Sequence, residues 1–167
     1  MEKLPCGSCK STKARLQCGV CELPLCRTCA QFLERNSFHL LLPDIPAELL
    51  HETYCPSCFV SKVAPALHEY EENVNQARAV LVFTRSRGDE TRVVRSSEKK
   101  IRVEDCSDEK ETLLKLAFIA ARKKYNALLD VEFSSRKIRN GGYQTSLWNG
   151  TGIPARVDAS KFPVPER

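Results

Sequence analysis

From residue 79 onward, hydrophobic and polar positions follow the two periods of regular secondary structure. Residues 79–84 are β-rich and run into Arg85-Ser86-Arg87-Gly88-Asp89-Glu90, whose Gly and Asp predict a turn. A strand resumes over 91–94, so a hairpin is expected. Residues 100–104 alternate polar and apolar, as a half-buried strand does, and either continue or replace that second arm. Ser107, followed by Asp108, Glu109 and Glu111, predicts an N-cap with an acidic first turn. Leu114, Phe118, Ala121 and Tyr125, with Leu113, Ala117 and Ala120 alongside, form the broad apolar stripe of a helix. Asn126 fits a left-handed cap, after which Leu129, Val131 and Phe133 alternate with Asp130 and Glu132 on a strand. Asn140-Gly141-Gly142 turns the chain back into a hairpin arm over 143–148. Asn149-Gly150-Thr151-Gly152 is expected to interrupt that pairing, and Pro154 confines residues 153–157 to an edge or a bulge. The predicted order is ββαββ, an antiparallel or mixed sheet covered by one helix.

Before residue 62 the periodicity disappears and cysteines take its place. Of nine cysteines, eight lie before residue 60 as C-x-x-C pairs: Cys6 and Cys9, Cys18 and Cys21, Cys26 and Cys29, Cys55 and Cys58. Each pair lets two sulfurs reach one ion at about 2.3 Å while backbone N–H groups point at the thiolates, so eight ligands make two closed four-cysteine sites. Zinc suits them, being borderline-soft, redox-inert and tolerant of a tetrahedron of sulfurs. Closed sites leave no position for water; they stabilise a fold, and no catalysis is expected of them. About 60 residues bury too little carbon to hold themselves together, which is reason enough for the metal. Iron–sulfur clusters also take four cysteines but need no second interleaved four, and disulfides belong to exported proteins.

The N-terminal residues hold no apolar stretch fit for a secretory signal, and no run approaches the ~18 to 20 apolar residues that cross a bilayer. A soluble, cytoplasmic protein is expected. The domains read as a double zinc-finger module over 1–62, a helical connector over 63–78, an α+β domain over 79–158 and a flexible tail over 159–167. Pro65 opens the connector, in which Leu67, Tyr70, Val74, Ala77 and Leu81 recur at helical spacing among Glu69, Glu71 and Glu72.

The formal charge of +5 suggests nucleic acid. Eight thiolates and two zinc ions change it by minus four, to about +1, and leave an acidic first half and a basic second. The basicity that remains concentrates in Arg85, Arg87, Arg92, Arg95, Lys99, Lys100 and Arg102, to which Arg122, Lys123, Lys124, Arg136, Lys137 and Arg139 add if they converge, with Trp148 or Tyr143 available for stacking. Charge-protected strand edges account for the same residues without a ligand. Arg87-Gly88-Asp89 and Asn149-Gly150-Thr151 match an adhesion tripeptide and a glycosylation acceptor, but turn chemistry explains both. Cys106 precedes the helix start, yet no histidine follows His68 to serve it as a base.

The four-residue gap between Cys21 and Cys26, the Leu23-Pro24-Leu25-Cys26 approach and the long insertion before Cys55-Pro56-Ser57-Cys58 resemble the cross-brace (treble-clef) zinc fingers of the FYVE and PHD kind. That resemblance implies one zinc on Cys6, Cys9, Cys26 and Cys29 and another on Cys18, Cys21, Cys55 and Cys58; a sequential pairing would instead unite Cys6, Cys9, Cys18 and Cys21. The family's functions do not carry over. Arg15-Leu16-Gln17 before Cys18 lacks the phosphoinositide pocket of FYVE domains, so membrane binding is not expected. Cys26 and Thr53 stand where PHD fingers have His and Trp. RING domains use a shorter gap and a histidine, leaving a ubiquitin-ligase component as a third reading. The first six cysteines, with Ala14, Leu16 and Leu25, also resemble a B-box, in which His39 and His51 would compete with Cys55 and Cys58. Residues 113–153 are weakly similar to small bacterial domains described as heavy-metal-binding, which form ring-shaped oligomers and imply self-association through the second half. The leading expectation is a non-catalytic, zinc-stabilised interaction or adaptor protein with a protein partner. The alternative is a nucleic-acid-binding protein using the 85–102 face.

Overall fold

Among the described residues of the first part of the chain, every strand is only two residues long. The computed structural model describes residues 4–11, 14–84, 98–158 and 160 and divides into two units that meet at Glu71 and Glu72. In the first, β1 (Leu16–Gln17) pairs antiparallel with β2 (Pro24–Leu25), and β3 (Gln31–Phe32) with β4 (Thr53–Tyr54). Such ladders supply few hydrogen bonds, so the unit needs another source of order. One buried cluster consists of Cys6, Cys18, Leu25, Cys26, Ala30 and Cys55, sulfur standing where a larger domain would place aliphatic carbon. The excursion between β3 and β4 makes 3-10 turns at His39–Leu41 and Ala47–Leu49 and is pinned by aromatic rings. Phe38 meets Tyr70 edge-on with centroids 5.3 Å apart, the Tyr70 hydroxyl accepts the Leu40 N–H at 3.4 Å, and the Tyr54 hydroxyl donates to the Glu48 carbonyl at 3.1 Å.

From β4 the chain enters a helix directly. Cys55 is the N-cap and Pro56 follows it in the first turn, where its missing N–H costs nothing. The single turn α1 (Pro56–Cys58) passes through a π turn (Phe59–Val63) into α2 (Ala64–Arg78). The π turn falls where Pro65 withholds the N–H that would close the ladder onto Ser61. Pro65 therefore does not open the connector: the helix is continuous with the last cysteine pair. Tyr70, Asn73 and Ala77 are its buried side chains, while Leu81, expected on the same stripe, belongs to the next strand.

Among the described residues the second unit holds a mixed four-stranded sheet in the order β5-β7-β8-β6, built from β5 (Leu81–Thr84), β6 (Ile101–Cys106), β7 (Ala127–Asn140) and β8 (Tyr143–Ala155). β5 runs parallel to β7, and the other pairs are antiparallel. The second arm of the expected 79–94 hairpin falls in residues 85–97, outside the described residues. α3 (Glu109–Arg122) lies on one face of the sheet. Its N-cap is Asp108, not Ser107: the Asp108 carboxylate accepts the Glu111 N–H at 2.7 Å, and the Ser107 N–H and hydroxyl both turn to Glu111. Its buried side chains are Thr112, Leu116, Ala117, Phe118, Ala120 and Ala121: Ala117, Phe118, Ala120 and Ala121 belong to the predicted stripe, whereas Leu113 and Leu114 are half-buried and Tyr125 lies beyond the helix end. The left-handed residue after the helix is Lys124 (φ 63°), not Asn126. The Asn126 amide instead clips Val157 from both sides, donating to its carbonyl at 2.8 Å and accepting its N–H at 2.9 Å.

Two further expectations fail for reasons of packing. β8 runs unbroken through Asn149-Gly150-Thr151-Gly152. A Cβ on Gly150 would stand 2.5 Å from Thr112 Cγ2 and 3.0 Å from Leu116 Cδ1, so this glycine lets α3 rest on the sheet and makes no turn. Leu129, Val131 and Phe133 do not share a face. The register slips between Leu129 and Glu132, where Asp130 takes φ 49°, and this bulge turns Val131 and Phe133 toward α3 while Leu129 joins Phe83, Ala127 and Ala155 on the opposite side. The Gly141-Gly142 turn forms as expected, with Asn140 opposite Tyr143 and Gly141 at φ 59°.

Candidate metal centres

The eight paired cysteines gather into two quartets, Cys6, Cys9, Cys26 and Cys29, and Cys18, Cys21, Cys55 and Cys58, with the sulfurs of each quartet within 4.8 Å of one another. The quartets interleave along the chain; a sequential grouping of the first four cysteines is not what the fold makes. Four sulfurs at about 2.3 Å from a tetrahedral ion lie about 3.8 Å apart. Cys9 and Cys26 are 3.6 Å apart, and Cys21 and Cys55 are 3.7 Å apart. This spacing and donor set fit Zn²⁺.

Each quartet joins two kinds of local structure. The first is a glycine knuckle, Cys6-Gly7-Ser8-Cys9-Lys10 or Cys18-Gly19-Val20-Cys21-Glu22, closed by the fifth residue's N–H on the first cysteine's carbonyl at 2.8 or 2.9 Å with that fifth residue at φ 64° or 58°. The two glycines face close neighbours: a Cβ on Gly7 would lie 2.4 Å from Leu23 Cδ1 and one on Gly19 2.2 Å from His51 Cγ. The second element is a helical turn. Over 26–30, the Cys29 and Ala30 N–H groups bond the Cys26 carbonyl at 3.1 and 3.0 Å, and at the start of α1 the Cys58 N–H donates to the Cys55 sulfur at 3.3 Å. The repeated Cys-Gly-x-Cys signal was present in the sequence and identifies Gly7 and Gly19 as residues that spacing alone passes over.

The electrostatics are those of donors crowded together. The backbone N–H of Cys9, then that of Cys26, hold the Cys6 thiol down to about 6. Burial pushes Cys18 up, but the N–H groups of Cys21 and Cys55 outweigh it and bring it to about 6. Their neighbours keep the protons: the sulfurs of Cys9 and Cys26 push Cys29 up to about 12, and the sulfur of Cys55, with burial, does the same for Cys58. A divalent cation removes this conflict by making every thiolate favourable at once.

Neither histidine proposed as a competing ligand joins a quartet. The His39 Nδ1 lies 3.3 Å from the Tyr70 hydroxyl and 3.2 Å from the Asn36 carbonyl, and His51 packs its ring on Tyr54 with centroids 6.2 Å apart. Of the basic face, Arg85, Arg87, Arg92 and Arg95 lie outside the described residues. Arg102 lines a shallow polar region of the open sheet face together with Glu132, but both described cations meet a carboxylate: Lys100 pairs with Glu132 at 2.9 Å and Arg102 with Glu104 at 2.7 Å. Trp148, opposite Cys106 and Ser135, points to the α3 side of the sheet and away from that face. Among the described residues no helix is long and apolar enough to cross a membrane.

The fold and the quartets define a mixed α+β chain with two four-cysteine sites suited to metal. Comparison with family models, curated proteins and solved structures finds no match to this chain.

Proposed function

We propose that the chain is a zinc-binding, non-catalytic interaction protein in which two four-cysteine zinc sites hold a cross-brace module of the FYVE and PHD kind and so present a binding surface to a protein partner. The observation that carries this reading is the interleaving of the quartets at sulfur spacings that suit a tetrahedral ion. Both sites draw ligands from distant parts of the first unit, so each ion ties the glycine knuckles to the later turns and does for about 60 residues what a hydrophobic core does for more. Four thiolates complete the coordination of each ion and leave no position for a reacting water, which favours a structural over a catalytic role.

The binding surface lies, on this reading, in the excursion between β3 and β4. A pocket of about 380 Å³ there is lined by Phe38, Ile45, Leu49 and Leu50, with Glu34, Arg35, His51 and Glu52 around it, and Leu50 is 62% exposed. Metal analysis of protein purified without added zinc tests the first part: two zinc ions per chain are expected, and a metal-free folded protein would contradict it. A partner captured by crosslinking from the native protein should be lost on Leu50→Asp with zinc content unchanged; retention of that partner argues against this surface.

A further inference from the structure

The long strands β7 and β8 continue past the sheet that supports them. β5 pairs with β7 only as far as Val131, and β6 pairs with β8 only from Trp148 onward. Beyond those points, among the described residues, the two strands pair only with each other, Arg136 opposite Leu147 through Asn140 opposite Tyr143. They form a two-stranded ribbon that ends at the Gly141-Gly142 turn. No acidic residue occurs from Phe133 through Val157, while Arg136, Lys137 and Arg139 fall within the ribbon.

Strand alternation sorts these cations. Arg136 lies on the face away from α3 and is held by Asp105 at 2.8 Å. Lys137 and Arg139 lie on the other face, opposite Ser146 and Gln144, about 7 Å apart along the strand. Both are exposed, and among the described residues no carboxylate pairs with either. Tyr143 at the tip is 82% exposed. Among the described residues the ribbon therefore carries two cations, Lys137 and Arg139, without counter-charges, polar side chains opposite them and an aromatic ring at its end, whereas Lys100 and Arg102 on the broad sheet face meet carboxylates.

We propose that this ribbon binds duplex nucleic acid, with Lys137 and Arg139 as phosphate contacts. A two-stranded antiparallel ribbon fits the roughly 12 Å width of the major groove, and Gln144 and Ser146 supply the donors and acceptors that face base edges there. Nothing in this depends on the metal sites, since every residue concerned lies in the second unit.

The test is fluorescence anisotropy of the full, zinc-loaded chain with a short labelled DNA duplex between about 50 and 200 mM salt. Neutralising two to three phosphates gives a log–log slope of about −2 to −3. Lys137→Gln with Arg139→Gln should make that slope shallower by about 1.8 and weaken binding about tenfold at the low-salt end. Both side chains are exposed, so circular dichroism and zinc content should not change; this separates failure here from failure of the zinc reading. No binding at low salt overturns the proposal, as does a slope that the double variant leaves unchanged. Competition by polyglutamate as effective as by unlabelled duplex also overturns it, and assigns the ribbon to an acidic polypeptide.

Discussion

Glu111 gathers more stabilising contacts than any other carboxylate of the second unit's helix. Its Oε2 accepts the Ser107 hydroxyl at 2.5 Å and the Ser107 N–H at 2.8 Å, and its Oε1 pairs with Lys115 at 2.9 Å. The Ser107 hydroxyl, then Lys115, hold its pKa at about 2 against an ordinary 4.5. Because the folded value is the lower, the stabilisation is complete above about pH 4.5 and is lost as pH falls toward 2. Glu111→Gln is expected to lower stability by about 1 kcal/mol at neutral pH. In chemical denaturation the gap to wild type should narrow at pH 3; a gap that stays constant would show that the charge is not what matters. Gly150 makes a steric case. Gly150→Ala is expected to cost about 1–3 kcal/mol, and Thr112→Ser, which removes the methyl that the new Cβ meets, should restore part of it. The sequence reads Gly150 as turn chemistry because its neighbours Asn149, Thr151 and Gly152 favour turns. Its reason for being glycine is a helix far away in the chain, which no local pattern records.

At the scale of elements, what was legible is what local chemistry decides. The Asn140-Gly141-Gly142 hairpin and the acidic start of α3 follow from residues within a few positions of one another. The alternation over 100–104 also holds, with Ile101 and Val103 inward and Arg102 and Glu104 exposed, but the faces of β6 beyond Glu104 and of β7 did not follow, since a bulge reverses each. Asp105 at φ 57° lets both Val103 and Cys106 face inward, and Asp130 at φ 49° separates Leu129 from Val131. A strict period of two cannot anticipate a residue that steps out of register. At Asp130 the left-handed backbone gives a direct test. Asp130→Gly should be neutral or stabilising, and Asp130→Val should destabilise the second unit by about 1–2 kcal/mol, as read from the midpoint of its unfolding. If valine were as well tolerated as glycine, the bulge would not be fixed by this residue.

Across the whole molecule, the cysteines were the clearest signal because ligand spacing is set by sulfur–metal geometry and survives without a regular backbone. Their grouping into interleaved quartets was implied only by resemblance; it depends on β1 and β2 bringing Cys18 and Cys26 back past each other, a tertiary fact. Two zinc-thiolate sites of the kind proposed would lower the net charge from +5 to about +1, which makes overall basicity a poor guide to partners. With the chain divided at Glu71 and Glu72, Cys18→Ser is expected to abolish hydrogen-exchange protection in residues 4–71 and to leave that of β6, α3, β7 and β8 in place. Equal loss in both units would show that they fold as one.

The pairing of the sulfurs is tested most directly by replacing zinc with NMR-active cadmium and correlating each metal signal with cysteine β-protons. The expected result is two signals in the four-thiolate range, one coupled to Cys6, Cys9, Cys26 and Cys29 and the other to Cys18, Cys21, Cys55 and Cys58. A single metal coupled to both Cys6 and Cys18, or a folded first unit that takes up no metal, would contradict the account.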